Sequence, residues 1–76
     1  MAEFDRIRWQ CRRGMLELDL VLNRFVEQEL DGLDPGQMLV FKELLNEQDP
    51  MLLAWVMEQE EVPERYDFLI RRLRQV

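Results

Sequence analysis

The chain contains no serine, no threonine and no histidine. These absences remove the usual hydroxyl nucleophiles, the usual general base and the commonest zinc ligand, so few enzymatic mechanisms stay open to it. Proton chemistry by carboxylates is one, and Glu58, Glu60, Glu61 and Glu64 are close in sequence. An acidic group on a helix end or loop is, however, ordinarily a solvated surface. The single cysteine, Cys11, rules out an internal disulfide, so stability has to come from apolar burial, as expected in a reducing compartment. A lone free thiol reads as a small core residue rather than a nucleophile. There is no glycine-rich phosphate loop, no dinucleotide fingerprint and no calcium-loop spacing, so no cofactor or metal is expected to be bound by the chain itself. No apolar run approaches membrane-spanning length, and the opening MAEFDRIR carries Glu3 and Asp5 in place of an apolar leader core. A cytoplasmic protein without direct membrane insertion is the expectation.

What is present fits one small domain spanning 1–76. Its 76 residues are 47% hydrophobic, enough for a single core and too few for two. The net charge of −6 argues against nucleic acid, whose phosphates need a concentrated basic surface. That average hides a gradient. Arg6, Arg8, Arg12 and Arg13 lie near the start and Arg71, Arg72 and Arg74 near the end, with most of the acids between them. The C-terminal group suits the last turn of a helix, where cations meet the negative end of the dipole. The N-terminal group has no such explanation.

Punctuation divides the chain into helices. Asp34-Pro35-Gly36-Gln37 and Asp49-Pro50 each place a capping acid before a proline suited to the first helical position, and Gln37 stands where a capping box needs it. Met38, Phe41, Leu44 and Leu45 form the stripe of the first helix, and Leu52, Leu53, Val56 and Met57 that of the second. Pro63 opens a last helix with Tyr66, Leu69, Ile70 and Leu73 on one face. Upstream, Phe4, Ile7, Cys11, Met15, Leu18, Leu22 and Phe25 follow steps of three and four, a phase that alone permits one long helix. Gly14 interrupts it after two arginines, in the manner of a helix end. The reading is a helix from about Glu3 to Arg12 or Arg13, another from about Met15 to Leu30, and an all-α, small five-helix bundle.

Gly14 is then the residue of interest. Within an exposed helix a glycine costs roughly 1 kcal/mol relative to alanine, but at a helix-to-helix corner it can take the left-handed conformation and leave the backbone bare. Glu17 lies four residues after Arg13. The two form either an ordinary surface ion pair or a pair of charges pointing together toward a partner. Trp55 reads as core. Trp9 lies off the apolar stripe and beside arginines, which suits either an interface or a half-buried position.

Arg13, Gly14 and Glu17 spell RGxxE within Ile7-x-Trp9-x-Cys11-Arg12-Arg13-Gly14-Met15-x-Glu17-Leu18-Asp19, and the pattern continues through Phe41-x-x-Leu44-Leu45 and Asp49-Pro50-x-Leu52-x-x-Trp55. Over nearly its whole length the chain resembles the SdhE family of succinate dehydrogenase assembly factors, known in some bacteria as the CptB antitoxin family. The resemblance implies a five-helix chaperone that binds the flavoprotein subunit of succinate dehydrogenase, and of fumarate reductase in many bacteria, and promotes covalent attachment of FAD to a histidine of that partner. It further implies that Arg13, Gly14 and Glu17 lie at the contact surface, with Arg6, Trp9, Arg12, Met15 and Asp19 around them. The flavin and its acceptor histidine belong to the partner, and no catalytic residue is expected here. Two departures bear on partner preference: Arg8 stands where many members carry histidine, and Leu16 where many carry a basic residue. The alternative implied by the second family name is an antitoxin or regulatory module binding a small membrane toxin protein.

Overall fold

The computed structural model describes residues 2–76, with side chains from residue 5 onward; the Phe4 position of the expected stripe lies outside the described side chains. Five helices follow one another: α1 (Ala2–Gln10), α2 (Leu16–Glu29), α3 (Pro35–Leu44), α4 (Asp49–Val56) and α5 (Glu64–Gln75), with a 3₁₀ turn (Leu30–Gly32) closing α2. No strand occurs among the described residues. The expected all-α bundle is therefore the observed one.

Each helix follows from its local sequence. At the start of α3, the Asp34 carboxylate accepts the Gln37 N–H at 2.7 Å and the Gln37 side-chain oxygen accepts the Asp34 N–H at 3.1 Å. This is the reciprocal box expected from DPGQ, with Pro35 in the first turn. Helix α5 buries Tyr66, Leu69, Ile70 and Leu73 and turns its arginines outward. It packs against α2, α3 and α4. Arg74 then donates to the Trp55 carbonyl at 2.7 Å, satisfying the C-terminal end of α4 with a cation where the dipole favours one.

One continuous core results. Phe25 and Phe41 meet at 4.9 Å between ring centroids, and Trp55 and Tyr66 at 5.6 Å, both tilted. Around them lie Ile7, Cys11, Leu18, Leu22, Leu30, Leu44, Leu52, Leu69, Ile70 and Leu73, all buried. The Tyr66 hydroxyl is not left unpaired: it donates to Glu47 at 2.9 Å and accepts from Arg65 at 2.8 Å.

Two boundaries differ from the sequence reading. Helix α1 ends at Gln10, short of the expected Arg12 or Arg13. The Cys11 N–H reaches back to the Ile7 and Arg8 carbonyls and the Arg12 N–H to that of Trp9, so the last turn tightens around a buried cysteine and the following residues leave the helix axis. At α4 the cap position is Gln48, without a side-chain cap bond, and Asp49 is already helical. The expected capping acid is engaged elsewhere, with Arg13.

Phe41→Ala should cost about 3–5 kcal/mol, because it deletes a fully buried ring that packs at a tilt against Phe25. Urea unfolding would show this as a lower midpoint at unchanged slope. Burial pushes the Cys11 thiol up from 9.0 to about 11, with Arg13 opposing that shift. Because the folded pKa lies above the unfolded one, the associated stability is complete below about pH 9 and is lost as pH rises through about 11. Iodoacetamide should leave native Cys11 unmodified at pH 8 and label it fully once denaturant unfolds the chain.

Candidate functional site

The segment joining α1 to α2 is an exposed corner held from behind. Gly14 has φ +80°, the left-handed region expected of a glycine at such a turn. An added Cβ there would meet nothing within 4 Å, so this chain itself demands the glycine for its dihedral and not for lack of room. Asp19, in the first turns of α2, folds its carboxylate back over the corner. One oxygen accepts the Arg13 N–H at 2.7 Å and the other the Gly14 N–H at 3.3 Å. A carboxylate that accepts successive amides this way fixes the path of the loop entering the helix. Asn23 continues the arrangement by donating to the Asp19 carbonyl at 2.7 Å.

Arg13 takes neither of the roles the sequence left open. Its side chain is only 14% exposed and runs inward, where the guanidinium meets Asp49 at 3.1 Å and donates to the Leu45 carbonyl at the end of α3. Arg13 and Glu17 therefore do not point together toward solvent; Glu17 is exposed and Arg13 is not. The reason is local: with α1 ending at Gln10, Arg13 sits outside the helix, and its side chain reaches the end of α3 and the start of α4. Its Nε is buried without a hydrogen-bond partner.

The other expected residues divide into two shallow grooves flanking the corner. Trp9, 71% exposed, and Arg12 line one with Asp5, Arg8 and Asn23. Met15 and Glu17 line the other with Leu16 and Leu53. Arg6 is exposed on α1 and lines neither groove. Leu16, singled out in the sequence only as a departure from the family pattern, is 75% exposed, and its neighbour one turn on, Leu20, which the sequence reading did not name, is also exposed. Their four-residue spacing is out of phase with buried Leu18 and Leu22, a signal that was available. Leu53, by contrast, comes from α4, and only the tertiary fold could place it here. The acidic group is exposed, Glu58, Glu60 and Glu61 in the α4–α5 connection and Glu64 at the start of α5, with Glu58 lying 3.8 Å from Arg74. Among the described residues no group of three or more His, Cys, Asp or Glu is arranged to hold a metal ion. No helix among the described residues is long and apolar enough to cross a membrane.

Comparison with known proteins gives this corner its context. Residues 5–76 match the family model Sdh5, described as the flavinator of succinate dehydrogenase. The FAD assembly factor SdhE of Legionella pneumophila (strain Lens) is 52% identical over 63 residues, covering 83% of this chain and 78% of its own. The protein of the same name from Idiomarina loihiensis is 45% identical over 74 residues, covering 91% and 82%. That of Coxiella burnetii is 41% identical over 73 residues, covering 93% and 88%. No solved structure matches. With a family model covering nearly the whole sequence and relatives of this identity, the chain belongs to the SdhE family of FAD assembly factors.

Proposed function

We propose that this chain is a non-enzymatic assembly factor that binds the flavoprotein subunit of succinate dehydrogenase and promotes covalent attachment of its FAD. What carries the reading is the exposed left-handed corner at Gly14, built in a chain whose relatives are named FAD assembly factors. The flavoprotein of fumarate reductase, with the same chemistry to complete, is a second partner. The relatives compared above bear the assembly-factor name, and no feature of the fold favours the antitoxin alternative.

The docking surface comprises Gly14, Met15 and Glu17 at its centre, Trp9 and Arg12 on one side and Arg6 beyond them. Arg13 and Asp19 belong to it as the residues that give it shape. Its composition suits an interface: an exposed tryptophan, exposed arginines and apolar Leu16 around a bare stretch of backbone. At Gly14 the main chain can be approached closely because no side chain stands in the way. Glu17 offers a carboxylate to a donor of the partner, and Arg12 and Arg6 offer cations to its acids.

The chemistry of flavin attachment stays with the partner. This chain has no histidine to accept a flavin and no phosphate-binding loop, and its contribution is to favour the partner conformation in which flavin and acceptor side chain are aligned. Binding one conformation more tightly than another is sufficient for this, and it requires no acid or base from the factor.

Gly14→Arg should leave helical circular dichroism near wild type while covalent flavin on the partner falls, since the substitution both strains the positive φ and blocks approach. Gly14→Asn separates these effects, because asparagine tolerates the left-handed region; a folded Gly14→Asn variant should still bind poorly. Glu17→Ala should change stability by less than about 1 kcal/mol and weaken the complex by about 2 kcal/mol or more. If all three variants flavinylate the partner as wild type does, the corner is not the docking surface. The isolated protein should bind no free FAD and flavinylate nothing alone. Saturable low-micromolar FAD binding, followed by tryptophan fluorescence and abolished by Arg12→Ala, would make it a cofactor carrier instead.

A further inference from the structure

Resting on the reading of the Gly14 corner as the docking surface, we infer that Asp49 is a positioning residue for that surface. Acting through Arg13, it holds the start of α4 against the corner and so sets the groove between Leu53 and Leu16. Asp49 itself is half-buried behind the exposed corner.

The argument starts from an unfavourable placement. The Arg13 guanidinium lies at the C-terminal end of α3, where it accompanies the Leu45 carbonyl, and also at the N-terminal end of α4. The first location suits a cation and the second opposes one, because helix amides present positive charge there. Asp49, in the first turn of α4, supplies the compensating anion at 3.1 Å. The cap residue Gln48 makes no side-chain cap bond to α4, and Asp49 is the acid in that first turn. Arg13 Nε meanwhile stays buried without a partner. An ion pair bought at that cost is poorly explained by stability, since partly buried pairs with unsatisfied donors often contribute little to it.

Geometry supplies the better explanation. Arg13 is anchored twice, by its main-chain N–H on Asp19 and by its guanidinium on Asp49, and Gly14 is the next residue. The position of α4 and the path of the corner are therefore coupled through one side chain. One turn along α4 from Asp49, on the same face, stands Leu53, which forms the far wall of the groove lined by Met15, Leu16 and Glu17. Removing the charge of Asp49 leaves the guanidinium beside α4 with no anion, so Arg13 turns toward solvent, α4 loses its link to the corner and the groove changes width.

The test compares Asp49→Asn, Asp49→Glu, Arg13→Ala and the double variant Asp49→Asn/Arg13→Ala. Each is titrated into the purified flavoprotein subunit of succinate dehydrogenase at a temperature where its helical signal is intact, and the Gly14 amide is followed by NMR. Asp49→Asn should raise Kd about tenfold or more, the effect of one lost charge-assisted contact, and shift the Gly14 amide resonance. Asp49→Glu, which keeps the charge, should recover most of the affinity. In the Arg13→Ala background Asp49→Asn should add nothing, as expected of two residues acting as one unit. The inference fails if Asp49→Asn binds as wild type, if the two substitutions add, or if Asp49→Asn cannot fold at all, which would make the pair a folding element. Glu17→Ala, run alongside, keeps the two readings apart. If it loses binding while Asp49→Asn does not, only the positioning role falls. If neither loses binding, the docking surface falls with it.

Discussion

Arg13 directs its charge inward, to Asp49 and to the Leu45 carbonyl, and the form of the α1–α2 corner depends on that direction. A short loop between two helices has many available paths. Here the main chain of Arg13 is fixed by Asp19 and its side chain by elements far away in sequence, so the residues that follow have little freedom left. Gly14 supplies the one dihedral that other residues adopt only with strain. The outcome is a stretch of backbone that is exposed and still ordered, which is what recognition of a folded partner requires if ordering entropy is not to be lost on binding.

Much of this fold was legible in the sequence because its signals are local. The DPGQ box, the apolar phase of α2 and the strongly one-sided pattern of α5 each specify their helix without reference to the rest of the chain, and each formed as read. Cys11 and Trp55 were expected in the core and lie there. What could not be read was the choice between local and distant partners. Asp49 had the spacing of a capping residue, and Arg13 that of a surface pair with Glu17, yet the two found each other across 36 residues. Nothing in a single sequence ranks a contact of that separation above a neighbour four residues away. The early end of α1 has the same origin, since burying Cys11 while sending Arg13 inward needs a break in the helix between them.

The candidate site was legible in a different sense. RGxxE pointed to the α1–α2 corner, but the sequence could not separate residues that face outward from residues that hold those in place. Glu17 and Trp9 are exposed, whereas Arg13 and Asp19 are partly buried and spend their polar groups within the chain. A short motif can therefore combine two physical roles, and substitutions within it should weaken a complex by different routes. Leu16 and Leu53 extend the surface beyond the motif, one visible as an apolar residue out of phase and the other only through the packing of α4 against α2.

Amide hydrogen exchange on the complex with the flavoprotein subunit addresses the central claim most directly, because it reports every face of the factor at once. The account predicts added protection over residues 12–20 and at the start of α4, with the α3–α5 face around Phe68 exchanging as it does in the free protein. Protection gained around Phe68 while residues 12–20 exchange unchanged would place the partner on the opposite surface and contradict it.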